Sequence, residues 1–282
     1  MNGLGIITFV SDTGWGGGYV AVCEAVVTRI RPVVKVFHIS HEVPAGDIAA
    51  GALILERIAP LYPPAVHLGI VDPGVETSRR PLAVETGRGD VLVGPDNGLL
   101  VGAAMALGGL RKSWVVDPAR VRAEAGLPVD RISATFQGRD VYAPTAALLA
   151  TGVEAASVAS SVDPAGLVRL APPQCEITPE GAVAQVIEVD RFGNVGLALR
   201  FPDLAPRADR YSVEIVGEDL PEWTARVVNT YGELLPGELG VFCDSWGQVA
   251  LALRSASAAE LLAVGRGMRV RLAPIRGSLA AG

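Results

Sequence analysis

Short runs of β-branched and apolar residues alternate with stretches of helical periodicity through the first half of this 282-residue chain. That alternation constrains the fold more than any other feature, because it is the spacing of βαβ units around a mostly parallel sheet. It predicts a buried strand over 5–11 and a helix over 19–31 with Val20, Cys23, Val27 and Ile30 on one face, closed by Pro32. A strand over 33–39, a helix over 48–58 and a strand over 65–71 follow, the last delivering Asp72 at its carboxyl end. Strands at 82–85 and 91–93, a helix at 99–107 and a helix at 142–151 with Pro144 in its first turn complete a layered unit.

From about Ser160 the texture changes. Residues 162–173 are punctuated by proline, and short strand patterns at 183–189, 195–199, 210–215, 241–243, 249–253 and 268–272 follow without intervening helices. A small barrel or sandwich fits that spacing. The fold class is therefore α/β: a mostly parallel layered sheet with helices in an amino-terminal domain over 1–165, then a smaller all-β, barrel-like domain over 166–282.

Composition narrows the function classes. Half the residues are hydrophobic and 19% are charged, as in an ordinary globular protein. The net charge of −6 argues against nucleic acid as a partner, since such binding draws on Lys and Arg neutralising phosphates. The three cysteines, Cys23, Cys175 and Cys243, are scattered and form no CxxC pair. They suit buried thiols in a reducing compartment, with neither a disulfide framework nor a metal site. No export signal precedes the apolar run at 6–10, and the run at 48–55 falls well short of the roughly 20 residues of a membrane span. A soluble, cytoplasmic protein without a membrane partner is expected.

In a doubly wound sheet, ligands sit outside the carboxyl ends of the strands. Asp12 enters the turn Gly14-Trp15-Gly16-Gly17-Gly18, and Asp72 stands in Val71-Asp72-Pro73-Gly74-Val75, so both should face one cleft. Either also fits a helix cap or a turn former. The glycine-rich turn matches neither GxGxxG nor GxxxxGK[ST] and has no lysine for phosphates. Close approach of a ligand's sugar to the backbone is a better use of it.

Further clusters are more distinctive: the Asp72 segment with Arg79, Gly94-Pro95-Asp96-Asn97-Gly98, Thr135-Phe136-Gln137-Gly138-Arg139-Asp140 and Asp190-Arg191-Phe192-Gly193-Asn194. With Ser11-Asp12-Thr13-Gly14 and Ser245-Trp246-Gly247 they resemble, in order and spacing over nearly the whole chain, the S-adenosylmethionine hydroxide adenosyltransferases, relatives of the fluorinases and chlorinases. The resemblance implies a homotrimer, with each active site between the amino domain of one subunit and the carboxyl domain of its neighbour. It implies hydrolysis of S-adenosyl-L-methionine to adenosine and L-methionine, a small-molecule substrate and no cofactor or metal. Asp12 would hold the ribose hydroxyls, accepting two hydrogen bonds from the diol. Asp190 and Asn194 would contact the methionine amino group and the adenosine end, Ser245 the amino-acid carboxylate, Tyr231 the adenine face and Ala256 the base edge through its backbone. Read as residues alone, Asn194 and Gly193 make a good turn, and Tyr231 makes a core aromatic. Arg79 and Arg139 make surface ion-pair partners as readily.

In the family an Asp, Arg and His set holds the attacking water. Asp72 and Arg79 match the first two, but the pattern Thr-Phe-His-Gly-Arg-Asp has Gln137 in place of the imidazole. The other histidines, His38, His41 and His67, do not stand where they would replace it. A glutamine orients water but takes up no proton, so proton removal falls to Asp72. Glu76 is a further departure, where the family often carries glycine. Two alternatives stand beside hydrolysis. One is a protein that binds S-adenosylmethionine or adenosine without turnover, supported only by Gln137. The other is a halogenase, but halide-using relatives lack the carboxylate at Asp72, and a halide about 4 Å from it meets roughly 4 kcal/mol of repulsion at an effective dielectric near 20.

Overall fold

The computed structural model describes residues 3–74, 79–130, 132–204 and 208–275. The chain divides into two compact units, Met1–Leu170 and Ala171–Gly282.

In the first unit the elements run β1 (Ile6–Ser11), α1 (Tyr19–Ile30), β2 (Lys35–Ser40), α2 (Ile48–Ile58), β3 (Val66–Ile70), β4 (Pro81–Thr86), β5 (Val91–Pro95), α3 (Val101–Ala106), β6 (Leu110–Val116), α4 (Pro118–Glu124), α5 (Ala143–Ala150), α6 (Ala155–Val158) and β7 (Ala159–Val162). They form a seven-stranded sheet in the order β2-β1-β3-β5-β4-β6-β7. The first four strands pair in parallel, and β4, β6 and β7 add an antiparallel flank. Alternation along β1 splits the core between the two faces. Ile7 and Phe9 join Val20, Cys23 and Val27 of α1 and Ala146 and Leu149 of α5, while Val10 joins Leu55 of α2 and Ala103 of α3. The layered α/β reading therefore holds.

Several elements here, α6 and β7 among them, were not expected from the sequence. β6 carries the polar run Arg111 and Lys112, which stays exposed and hides the strand from a hydrophobic pattern. α4 starts where Asp117 accepts from the N–H groups of Ala119 and Arg120, with Pro118 behind it. The helix expected over 142–151 is preceded by a π-helical turn, Gly138–Tyr142.

The second unit comprises β8 (Cys175–Thr178), β9 (Gly181–Val189), β10 (Val195–Arg200), β11 (Arg210–Ile215), β12 (Trp223–Val227), β13 (Leu239–Cys243), β14 (Gln248–Leu253), α7 (Ala258–Leu262) and β15 (Arg269–Pro274). Strands β10-β14-β13-β12-β11-β15-β9 close on themselves through β9–β10 pairing, and β8 lies outside the seven-strand barrel on β9. Inward residues such as Val186, Leu197, Val213, Val241 and Leu251 fill it. The expectation of no helices in this unit is corrected by α7. Its sequence signal is the capping pattern Ser257-x-x-Glu260, and Ser257 Oγ accepts from the Glu260 N–H at 3.0 Å. The reading of the thiols as buried also needs correction. Cys23 is on the buried face of α1, but Cys175, on the outermost strand, and Cys243, at the end of β13, are exposed. Among the described residues, no helix is long and apolar enough to cross a membrane.

A buried polar network pins the amino end of β3. His67 Nε2 donates to Asp90 Oδ1 at 3.1 Å, which leaves Nδ1 to accept from the Thr8 hydroxyl at 2.7 Å. Asp90 also accepts from the Ala65 N–H and, at 2.7 Å, from both Nε and a terminal nitrogen of Arg88. Burial raises the carboxyl's pKa, but the hydrogen bonds from Arg88, His67 and Ala65 outweigh it and hold the group below the usual carboxylate range. Its stabilisation is thus present above the unfolded-state value of about 4 and is lost as pH falls below that towards the folded-state value. Asp90→Ala should cost about 3 to 5 kcal/mol in urea unfolding at pH 7, because it leaves buried partners unpaired. The difference from wild type should narrow below pH 4.

Candidate functional site

The strand order places β2 on one side of β1 and β3 on the other, so the sheet's topological switch lies between the carboxyl ends of β1 and β3. Asp12 follows the first of these strands and Asp72 closely follows the second. Both line one cavity of about 110 Å³, together with Ser11, Thr13, Gln137 and Tyr142. That volume has room for a few water molecules and falls short of a drug-sized ligand. Asp12 does not cap α1, whose N-cap is Gly18 at φ 73°. One of its oxygens accepts from the Gly46 N–H at 2.8 Å, tying the loop before α2 to the end of β1.

Asp72 and Arg79 form an ion pair, with side chains 3% and 8% exposed. The surface ion-pair alternative for Arg79 is thereby excluded, whereas Arg139 is a half-exposed partner of Asp140 at 2.7 Å. Asp72 Oδ1 takes the Arg79 contact and also accepts from the Gly74 N–H at 3.2 Å. Oδ2 is buried with no hydrogen-bond partner among the described residues. Such an oxygen costs free energy until a donor reaches it. Burial pushes the Asp72 carboxyl above its ordinary range, and the negative Asp12 adds to this. Arg79 and the Gly74 N–H pull it down without cancelling the rise.

Gln137 is the N-cap of the π-helical turn, at the end of the loop that precedes it. Asp140 braces that loop, accepting from the Ser133 N–H at 2.8 Å and from Arg122 at 3.1 Å. The histidines lie elsewhere. His67 is locked to Thr8 and Asp90, and His41 stands behind Ser11, with Nδ1 2.7 Å from its hydroxyl and Nε2 2.8 Å from His38. Burial and the neighbouring His38 lower the His41 pKa to about 4.

In the second unit, the loop between β9 and β10 carries Asp190 and Asn194. Asp190 Oδ1 accepts from the Phe192 and Asn194 N–H groups at 2.8 and 2.9 Å, and Oδ2 accepts from the Asn194 side chain at 2.7 Å. Gly193 at φ 80° completes the turn, and a Cβ there would lie 2.1 Å from Ser257 Oγ. This close approach seats the loop on the start of α7. Asp190, Asn194, Tyr231 and Ser245 line one cavity of about 400 Å³, and Asp190, Asn194, Tyr231 and Ala256 a second of about 830 Å³, volumes of small-ligand size. Tyr231 is no core aromatic: it is 48% exposed and packs edge-on against Phe242 at 4.9 Å. Among the described residues, no group of three His, Cys, Asp or Glu side chains is gathered to hold a metal ion.

Models of the SAM hydroxide adenosyltransferase N-terminal and C-terminal domains match residues 7–159 and 184–271. The chain belongs to the SAM hydroxide adenosyltransferase family. An (R)-S-adenosyl-L-methionine hydrolase from Salinispora tropica is 44% identical over 94% of this chain and 97% of its own. A fluorinase from Actinopolyspora mzabensis is 26% identical over 95% and 96% of the two chains. The crystal structure of an uncharacterized conserved protein from Thermotoga maritima matches with a TM-score of 0.84 at 30% identity, covering 95% of this chain and 99% of that one.

Against the SAM hydroxide adenosyltransferase pattern, Gln137 lines the cavity beside Asp72, and no histidine takes its place there. Glu76 lies outside the described residues. One lining residue escaped the sequence reading: Tyr142, 1% exposed, whose hydroxyl donates to Gln137 Oε1 at 3.4 Å. The signal for it was a polar-tipped aromatic heading an otherwise apolar helix. The electrostatics of Asp72 are directly testable. Its carboxyl should titrate above the ordinary value of about 4 in carbon-13 NMR, and Arg79→Met should move the midpoint higher still. A midpoint that stays put or falls in Arg79→Met would refute this balance of burial against the guanidinium.

Proposed function

We propose that the protein hydrolyses S-adenosyl-L-methionine to adenosine and L-methionine. The observation that carries this reading is the buried Asp72 carboxylate, tied through one oxygen to Arg79, its other oxygen unpartnered among the described residues, beside a cavity of water scale. Water held there forms a bond from its oxygen to C5′ as the C5′–S bond breaks. The bonding pair stays on sulfur and neutralises the sulfonium. The water's proton passes to Asp72, and one proton is released per turnover, since a cationic substrate becomes two neutral products. A carboxyl whose pKa is raised by burial is the stronger base for that step. Arg79 fixes the carboxylate's direction, and Gln137 orients the water without taking its proton. A sulfonium is a good leaving group as it stands, so the reaction calls on no metal or cofactor.

Asp12 would hold the ribose diol with its remaining acceptor capacity. Asp190 and Asn194 would meet the methionine amino group and the adenosine end, Ser245 the carboxylate, Tyr231 the adenine face and Ala256 the base edge. We assign these two sets to different subunits of a homotrimer. In support, Trp15 and Tyr19 beside the glycine-rich turn are 56% and 48% exposed, and Phe192 beside Asp190 is 73% exposed, apolar surface that a neighbouring subunit would cover. A cytoplasmic setting suits the two exposed thiols. Halide as the nucleophile is disfavoured by the charge on Asp72.

In water labelled with oxygen-18, the protein should produce adenosine carrying the label at the 5′ position, and Asp72→Ala should lose turnover while retaining adenosine binding. Unlabelled adenosine, or 5′-chloro-adenosine in chloride buffer, would exclude hydrolysis. Light scattering should give the mass of three chains, and a monomer that stays active when dilute would exclude the shared site.

A further inference from the structure

Tyr142 is a buried phenol that the reaction as described does not use. It closes the π-helical turn Gly138–Tyr142, a local widening of the helix that often marks functional positions. Its side chain lines the cavity with Asp72 and Gln137. Its hydroxyl lies beside the Arg79 guanidinium and donates to Gln137 Oε1 at 3.4 Å. The chemistry of the two groups fits that direction. A phenol has a single proton to give, and the amide oxygen accepts it. A proton donor on that side requires the amide oxygen to face Tyr142.

We propose that Tyr142 is a positioning residue that turns Gln137 so that its NH2 group donates to the oxygen of the attacking water, leaving Asp72 as the acceptor of the one proton the water gives up. The inference rests on the hydrolysis reading above. It gives the glutamine a function that its lack of basicity does not supply. With a donor on one side and Asp72 Oδ2 on the other, one lone pair of the water is engaged by the amide and the second is free to meet C5′. Burial, reinforced by the negative Asp72, raises the Tyr142 pKa well above its ordinary value, so the phenol keeps its proton and the amide its orientation. The 3.4 Å separation is long for such a bond, as in many sites before substrate is bound.

The test is a double-mutant cycle on kcat and KM for S-adenosylmethionine. Tyr142→Phe should lower kcat about tenfold, with KM and the Kd for adenosine unchanged, because orientation at the reacting atom is lost and binding is not. In a Gln137→Ala background, adding Tyr142→Phe should change kcat less than twofold. The proposal is overturned if Tyr142→Phe alone stays within twofold of wild type, if the two losses multiply, or if KM and adenosine affinity worsen along with kcat. A second measurement needs no Tyr142 variant. The side-chain NH2 signal of Gln137, assigned by its disappearance in Gln137→Met, should show nuclear Overhauser contacts to the 5′ protons of bound adenosine. Contacts from that NH2 to the Tyr142 ring alone would place the carbonyl towards the cavity and overturn the assignment. Wild-type protein that releases no adenosine from S-adenosylmethionine would instead defeat the hydrolysis reading, a result separate from all of these.

Discussion

The pairing of β1 with β3 is the constraint on which the amino-terminal unit depends. Register aligns Ile7 with Val66 and Ser11 with Ile70, so the two strands end side by side. Because β2 leaves β1 on its other edge, the chain diverges there and opens a crevice. Asp12 and Asp72 reach one cavity for this reason, although 60 positions separate them in the chain. The same pairing is anchored at the other end of β3 by Thr8, His67 and Asp90, so His67, with both ring nitrogens engaged, serves the sheet and is kept from the chemistry.

Charge at the cavity is set by opposing influences. Burial and the nearby Asp12 favour a neutral Asp72, and Arg79 with the Gly74 N–H favours an ionised one. An isolated buried carboxylate would be costly, and a fully paired one would be a weak base. Pairing through Oδ1 alone leaves Oδ2 open to a further donor. In the barrel unit the corresponding organiser is Asp190, whose oxygens accept from three groups of its own turn. An aspartate committed in this way positions Asn194 and Phe192 as much as it presents its own charge. The turn read at Gly193 and Asn194 is thus held by the carboxylate of Asp190.

Several features were legible in the residues because they are local. Helix periodicity located α1 and α2, apolar runs located β1, β3 and β5, and the order of motifs pointed to the family. Elements with weak local signals were passed over: β6, with its exposed Arg111 and Lys112, and α7, only five residues long. Cys175 and Cys243 were misjudged because burial is a property of the assembled sheet, and a thiol on an outer strand has the same local sequence signature as one inside.

By itself the sequence determined the two-part architecture, the acidic candidates at strand ends and the replacement of an imidazole by Gln137, since these rest on residue type and spacing along the chain. Only the tertiary structure decided that Arg79 pairs with Asp72 in a buried site while Arg139 pairs with Asp140 near the surface, for the depth of an arginine depends on what packs around it. It also decided that Tyr231 is half exposed and that Tyr142 is enclosed against Gln137. Hydrogen-bond direction and desolvation depend on neighbours brought together by strand order and by a π-helical turn, and no spacing in the sequence encodes that company.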